Sequence, residues 1–293
     1  GMLTGLIGGA KSGKSLWAMW NLVRPVVTGC NWFTSAPNSA GPGCAVWCDT
    51  ERRAAVNLSR ARVWGLPMDR IKTPFKDPTQ SINLDSQDDL DRLYSVVCKY
   101  RATQVTIDSF RGGHRGDENN SRIVAPLHGL ASIAETTGAQ VTLIHHVGKM
   151  VVGQEVTINS ARGSSAFLAM VAAQIVIDVP DTDHPDRRRF RVLGENLGIA
   201  PKPKGFVVTD RGLEITDAPM LARPVTQEDK AREWLQGCME PGVWYLSKKL
   251  LDEAKQFSLS GNAVQRARED LGIALETGTI RRNAEGNYEW RLP

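Results

Sequence analysis

The stretch GLIGGAKSGKS at residues 5–15 constrains this chain more tightly than any other. It contains Gly8-x-x-x-x-Gly13-Lys14-Ser15, the spacing of a phosphate-binding loop. Leu3, Thr4, Leu6 and Ile7 precede it and can form a short buried strand. LWAMWNLV follows and can form a helix with Leu16, Met19 and Trp20 on one side. Small residues at Gly8, Gly9, Ala10, Ser12 and Gly13 let backbone N–H groups turn inward around an anion, where a helix N-terminus already favours negative charge. Lys14 would reach the β- and γ-phosphates, and the Ser15 hydroxyl would sit on Mg2+. The expected nucleotide-binding set is Gly8, Gly9, Ala10, Lys11, Ser12, Gly13, Lys14, Ser15 and Leu16.

A length of 293 residues accommodates one large α/β domain and a small second one. Hydrophobic residues at 41% and charged residues at 23% describe an ordinary globular chain rather than a disordered or fibrous one. No apolar run approaches the length of a membrane-spanning helix, and the opening segment is taken up by the loop strand rather than by a signal peptide. No membrane partner is expected. Cys30, Cys44, Cys48, Cys98 and Cys238 are odd in number, and the Cys44/Cys48 pair lacks a second pair at zinc-ligand spacing. They read as strand residues in a reducing cytoplasm. The net charge of +4 hints at an anionic partner without proving one.

Apolar runs of strand length recur at CAVWCD (44–49), QVTID (104–108), QVTLIHH (140–146) and QIVIDV (174–179). Their near-continuous apolar character suits strands buried on both faces, as in a parallel sheet. Helical patterns at 51–64, 87–100 and 121–137 separate them, so the alternation predicts a mostly parallel α/β sheet covered by helices. RRFRVL (188–193), GFVVTD (205–210) and GLEIT (212–216) read as antiparallel strands closing that sheet. DAPMLARPVT has two prolines and no periodicity. The expected organisation is therefore an ATPase-type domain at 2–216, a linker at 217–226 and a small domain at 227–293.

Nucleotide hydrolysis needs a carboxylate near Mg2+ and another group to orient water. Asp108 ends the strand VTID, and the carboxyl end of a buried parallel strand faces the crevice where such sheets bind ligands. Asp49 and Glu51 follow the strand AVWC, and Glu51 is the preferred base, although an acid there can also begin the helix ERRAAVNL. HHVGK at 145–149 ends the next strand with two imidazoles, which suits sensing of a γ-phosphate.

The set GGAKSGKS, VWCDTER, VTIDSF, RGDEN, LIHHVGK and ARGSSAF, in this order, resembles the RecA-like ATPases of the plasmid RepA hexameric-helicase type, relatives of DnaB-type replicative helicases. The resemblance covers about residues 3–216. It implies a RecA-like fold, ATP and Mg2+ as ligands, a homo-oligomer such as a hexameric ring, and single-stranded DNA at the ATPase core. It implies Glu51 as the water-activating acid, Asp108 as the Mg2+-side acid and His146, rather than His145, as the γ-phosphate sensor. The loop at 147–160 would then face a channel, with Lys149 near DNA or a neighbour's nucleotide. Many ring helicases place a Lys-x-Arg element on a late strand. Here LGENLG (193–198) puts Glu195 and Asn196 where basic residues are expected. Arg162 is then the preferred trans-acting arginine, with Arg187, Arg188, Arg189 and Arg191 as the other candidates. The stretch GGHRGDENNSR (112–122) reads as a polar loop leading into a helix, capped by Asn119, Asn120 or Ser121.

Residues 227–293 read as three helices and a β-hairpin, which resembles a winged helix-turn-helix. In that geometry Asn262, Gln265, Arg266 and Arg268 face duplex DNA from the third helix, while Arg281 and Arg282 begin the wing. The segment 225–293 carries 10 Lys/Arg against 11 Asp/Glu, so a docking module remains the competing reading. For the whole chain the expected function is an ATP-hydrolysing DNA motor, a helicase or replication ATPase. An ATP-switched DNA-binding regulator, a recombination ATPase without unwinding and a small-molecule P-loop kinase stay open.

Overall fold

The computed structural model describes residues 1–293 except 33, 35, 78–79, 116–122, 148–164, 182–183, 194–197 and 221–225. The chain divides into two compact units, Gly1–Ala222 and Arg223–Pro293.

The first unit is built on a nine-stranded sheet. Its strands are β1 (Leu3–Gly8), β2 (Ala45–Asp49), β3 (Ile71–Lys72), β4 (Gln104–Asp108), β5 (Gln140–His146), β6 (Ala173–Asp178), β7 (Arg188–Leu193), β8 (Lys204–Thr209) and β9 (Gly212–Asp217), in the order β3-β2-β4-β5-β1-β6-β7-β8-β9. The first six positions in that order pair in parallel and the last three antiparallel. Both sheet faces are apolar, which is why the strands read as unbroken apolar runs. Leu3, Ile7, Val46, Cys48, Val105, Ile107, Val141 and Leu143 face one core, with α4 (Gln87–Tyr100), α5 (Val124–Thr137) and the short α6 (Ser165–Met170) packed over it. Leu6, Ala45, Trp47, Ile144 and Ile177 face the other, together with Trp17, Phe190 and Phe206. β1 lies between β5 and β6, so the chain leaves it to one side and later returns to the other. Such a switch point opens a crevice at the strand's carboxyl end.

Three local expectations need correction. The helix after the loop runs as α1 (Lys14–Ala18), a π-helical turn (Met19–Val23) and α2 (Arg24–Thr28). Pro25 has no N–H to offer, and the widened turn just before it accommodates the gap. The buried side is accordingly wider than a Leu16–Met19–Trp20 stripe. Trp17 is fully buried against Trp32 and Phe190, Trp20 packs edge-on to Trp64, and Leu16 is only half-buried. The helix expected from residue 51 begins at Ala54 as α3 (Ala54–Val63), because Arg52 takes a left-handed conformation that breaks any earlier helical turn. The helix expected from 121 begins at Val124 with Ile123 at its cap position; Asn119, Asn120 and Ser121 lie outside the described residues.

The second unit contains α7 (Gln227–Cys238), β10 (Tyr245–Leu246), α8 (Ser247–Gln256), α9 (Gly261–Asp270), β11 (Ile280–Arg282) and β12 (Tyr288–Trp290). Thr226 and Asp229 form a reciprocal capping box at the start of α7, and Ser260 caps α9 through the Ala263 N–H. The strands form a small antiparallel sheet in the order β10-β12-β11. Leu235, Leu250, Val264, Ala267, Ile273 and Trp290 close a core of their own, whereas Trp234 and Leu271 contribute only partly buried surface. With capped helices and a separate core, a 223–293 fragment should fold alone. Its far-ultraviolet circular dichroism should be helical and its thermal melt sigmoidal; a featureless, non-cooperative melt would contradict this.

Candidate functional site

The site grows from the carboxyl end of β1. A Cβ at Gly8 would stand 2.5 Å from the Ile177 carbonyl oxygen and 2.8 Å from Ser12 Oγ, so only glycine lets the loop fold this closely onto β6. Gly13 has φ 95°, the left-handed turn from which Lys14 enters α1. Lys14 is buried and folds back over the loop, its Nζ donating to the Gly8 and Gly9 carbonyls at 3.0 and 2.7 Å. Burial pushes its ammonium down to about 8, against the opposing pull of Asp108 and Glu51.

Strand register brings the other groups to the same edge. Gly8 lies beside His146 across β1–β5, and Asp49 beside Asp108 across β2–β4. Asp108 is buried, and its Oδ2 accepts from Asn57 Nδ2 at 3.1 Å. Burial pushes its carboxyl up to about 6, while a hydrogen bond with Ser15 pulls the other way. The two acids at and just beyond the end of β2, Asp49 and Glu51, have different partners. Asp49 Oδ2 accepts the Arg53 N–H at 2.6 Å and so pins the turn before α3. Glu51 Oε1 instead accepts from Ser109 Oγ at 2.7 Å and lies 3.4 Å from His146 Nε2. Burial alone would raise the Glu51 pKa, but Ser109, His146 and Arg53 outweigh it and hold the carboxyl below its ordinary value. Burial together with the nearby Lys14 lowers His146, which favours its neutral form. Thr50 Oγ1 donates to the Ser109 carbonyl at 2.6 Å and accepts the Ser109 N–H at 2.8 Å, tying the ends of β2 and β4 together.

Lys11, Gly13, Lys14, Ser15, Leu16, Asp49, Glu51, Asp108 and His146 thus line one cleft of about 370 Å³. His145 points to the opposite face, stacked on Phe167 with ring centroids 4.7 Å apart. Asn57, Thr50 and Ser109 joined the site without being singled out in the sequence. Ser109 is foreshadowed only by its place after Asp108, and Asn57 by nothing. Among the four clustered arginines, Arg189 grips Asp178 through two 2.9 Å bonds, Arg191 joins it at 3.3 Å and Arg187 is exposed. Only Arg188 of the four lines the cleft. Lys149 and Arg162 lie outside the described residues, as do Glu195 and Asn196.

In the second unit Arg266 is exposed on α9. Arg268, expected on the same open face, is instead half-buried, bonded to Glu269 and laid over Trp290 at 5.3 Å. Arg281 bonds Glu289 and covers Trp244 at 4.1 Å, and Arg282 bonds the Tyr288 hydroxyl.

A glycine loop between the central strand and a helix, a lysine folded over it and carboxylates at the neighbouring strand ends define a P-loop nucleoside triphosphatase. The chain belongs to the AAA_25 family, whose model, described as an AAA domain, matches residues 1–150. The crystal structure of a KaiC-like protein from the hyperthermophilic archaeon Pyrococcus horikoshii OT3 has a similar fold. Its TM-score is 0.53 at 17% identity, over 73% of this chain and 88% of that one. The likeness is one of RecA-type fold. No curated protein matches the sequence. Among the described residues, no helix is long and apolar enough to cross a membrane.

The family implies nucleotide binding, typically with Mg2+, and the residues fit both. Ser12 Oγ is buried in the loop without a hydrogen-bond partner among the described residues, as expected of a cradle that acts on a ligand. Ser15 and Asp108 offer hard oxygen donors, and Mg2+ needs few of these once phosphates supply the rest. Asp108 must ionise for that role, and its raised pKa makes the charged form costly in the nucleotide-free chain above about pH 6. At acid pH, with both folded and unfolded states protonated, the cost vanishes. Nucleotide-free Asp108→Asn protein should therefore melt several degrees above the parent at pH 8, and the gap should close towards pH 4. A gap of equal size at both pH values would exclude this origin.

Proposed function

We propose that the chain is an ATP-hydrolysing, DNA-associated motor, a helicase or replication ATPase of the RepA hexameric type from a plasmid, phage or other mobile element. The observation that carries the ATPase part is the Glu51 carboxylate, oriented by Ser109 and His146 in the cleft that also holds Lys14 and Asp108. Glu51, ionised at neutral pH, takes the proton of a water whose oxygen attacks the γ-phosphorus. The bond from that phosphorus to the β–γ bridging oxygen breaks, and ADP and phosphate leave. Lys14 turns from the Gly8 and Gly9 carbonyls to the β- and γ-phosphates. Ser15 and Asp108 would hold Mg2+, which would supply positive charge against the phosphate oxygens. His146 contacts Glu51 from the end of β5, so it can pass the state of the γ-phosphate to the segment at 147–160, where Lys149 meets single-stranded DNA. A homo-oligomeric ring and a trans-acting Arg162 follow from the RepA resemblance.

The second unit is read as a winged helix that binds duplex DNA, with α9 as recognition helix and β11–β12 as wing. Its three helices and small antiparallel sheet support this, as do exposed Arg266 and the wing arginines Arg281 and Arg282. Arg268, packed on Trp290, has less freedom to join them. The same arginines favour a second reading, an ATP-switched duplex-binding regulator, which a strand-separation assay distinguishes from a motor.

Glu51→Gln should keep nucleotide binding and lose hydrolysis by about 10²-fold or more. ATP turnover and ADP binding measured side by side check this, and Asp49→Asn showing that signature in its place would reassign the base. In the full chain, Arg266→Ala should weaken duplex binding measured by fluorescence anisotropy. Arg281→Ala with Arg282→Ala should flatten the slope of log affinity against log salt, by about one for each lost phosphate contact. Unaltered affinity and slope in both variants would remove the winged-helix reading.

A further inference from the structure

Arg188, like Lys11, Arg53 and Arg60, is a cation of the cleft that the mechanism above does not use, and it alone of these comes from β7. It opens β7, where alternation sends Arg189 and Arg191 to one face, onto Asp178, and Arg188 to the other with Phe190. There it lies against the phosphate loop. A Cβ at Gly13 would stand 2.9 Å from Arg188 Nη1 and 3.4 Å from its Cδ and Cζ. The guanidinium carbon lies 6.0 Å from the centre of the Phe206 ring. Nε and Nη1 are buried and have no hydrogen-bond partner among the described residues. Burial lowers the Arg188 pKa, with Asp186 opposing, but a guanidinium stays charged at neutral pH. Arg188 as a whole is half-buried, but donors shut away from water without a partner are costly unless something pairs with them.

The topology says which part of a nucleotide would pair with it. Glu51, Asp108 and His146 come from the ends of β2, β4 and β5, all on one side of β1. Arg188 comes from β7, two positions away on the other side. The loop therefore has the hydrolytic groups on one side and Arg188 on the other. With the γ-phosphate at the Glu51 end, the opposite flank meets the α- and β-phosphates that the loop's own N–H groups cradle.

We propose that Arg188 clamps the α- and β-phosphates of the nucleotide held by its own subunit, setting affinity for nucleoside di- and triphosphates alike rather than reaching a neighbour's site. The clamp rests on the P-loop reading of this cleft.

Affinities for a fluorescent ADP and for a non-hydrolysable ATP analogue test it in the full chain, with Arg188→Gln, Arg188→Lys and Lys14→Ala. Gln keeps much of the side chain against Phe206, and its folding is checked by circular dichroism. Arg188→Gln should weaken both nucleotides by the same factor, about 10- to 100-fold, the range for losing a charge-assisted hydrogen bond. Arg188→Lys keeps the charge without the fork and should recover part of that loss. Mixing Arg188→Gln with Lys14→Ala subunits should restore no ATP turnover. Binding of ADP within twofold of the parent by Arg188→Gln would overturn the clamp, as would a loss confined to the triphosphate. Turnover regained on mixing would overturn it in favour of a trans-acting residue. If Lys14→Ala also binds both nucleotides like the parent, the P-loop reading itself falls and takes the clamp with it.

Discussion

The positive charge of Lys14, buried beside two carboxylates, is the constraint around which the first unit is arranged. Taking an ammonium out of water is unfavourable unless acceptors surround it. Two loop carbonyls meet that need, and Asp108 and Glu51 supply the opposing charge. These acceptors come from different parts of the chain. The carbonyls sit at the end of β1 and just beyond it, whereas Asp108 ends β4 and Glu51 follows β2. Parallel pairing in the observed register brings these strand ends to one edge. Sheet topology and site chemistry therefore express one requirement.

A second layer of contacts gives the two β2 acids separate tasks. Asp49 is committed to the Arg53 N–H and Asp108 to Asn57, while Glu51 keeps a carboxylate in the cleft with Ser109 and His146 beside it. The same environment moves their pKa values apart: Asp108 rises to about 6 and Glu51 falls. Carboxylates whose proton affinities are moved apart within one cleft can perform different chemistry.

What the sequence could disclose follows the range of each interaction. The phosphate loop is local, so its spacing alone announces it, and strands buried on both faces announce themselves as apolar runs. Read along the chain, Glu51 is preferred over Asp49 by its place and by the RepA resemblance, but the contacts that set the two apart, with Ser109 and His146, are far away in sequence. Asn57 has no local mark because its partner lies 51 positions further on. Arg188 sits in a run of basic residues, and only the pairing of β7 shows which of them turns towards the loop. The helix start at Ala54 was hidden for a related reason. Glu51 and Arg52 suit a helix by composition, but the turn pinned by Asp49 excludes them from it.

The reciprocal pair between Thr50 and Ser109 has a mechanical consequence. Two hydrogen bonds in opposite directions join the residue after β2 to the residue after β4, and the Thr50 N–H donates to the Asp108 carbonyl as well. Glu51 and Asp108 are the immediate chain neighbours of that joint. A shift of one carboxylate is therefore transmitted to the other through a short, stiff linkage with little slack. The ends of β2 and β4 are thereby tied into one unit, with His146 Nε2 3.4 Å from its Glu51 carboxylate.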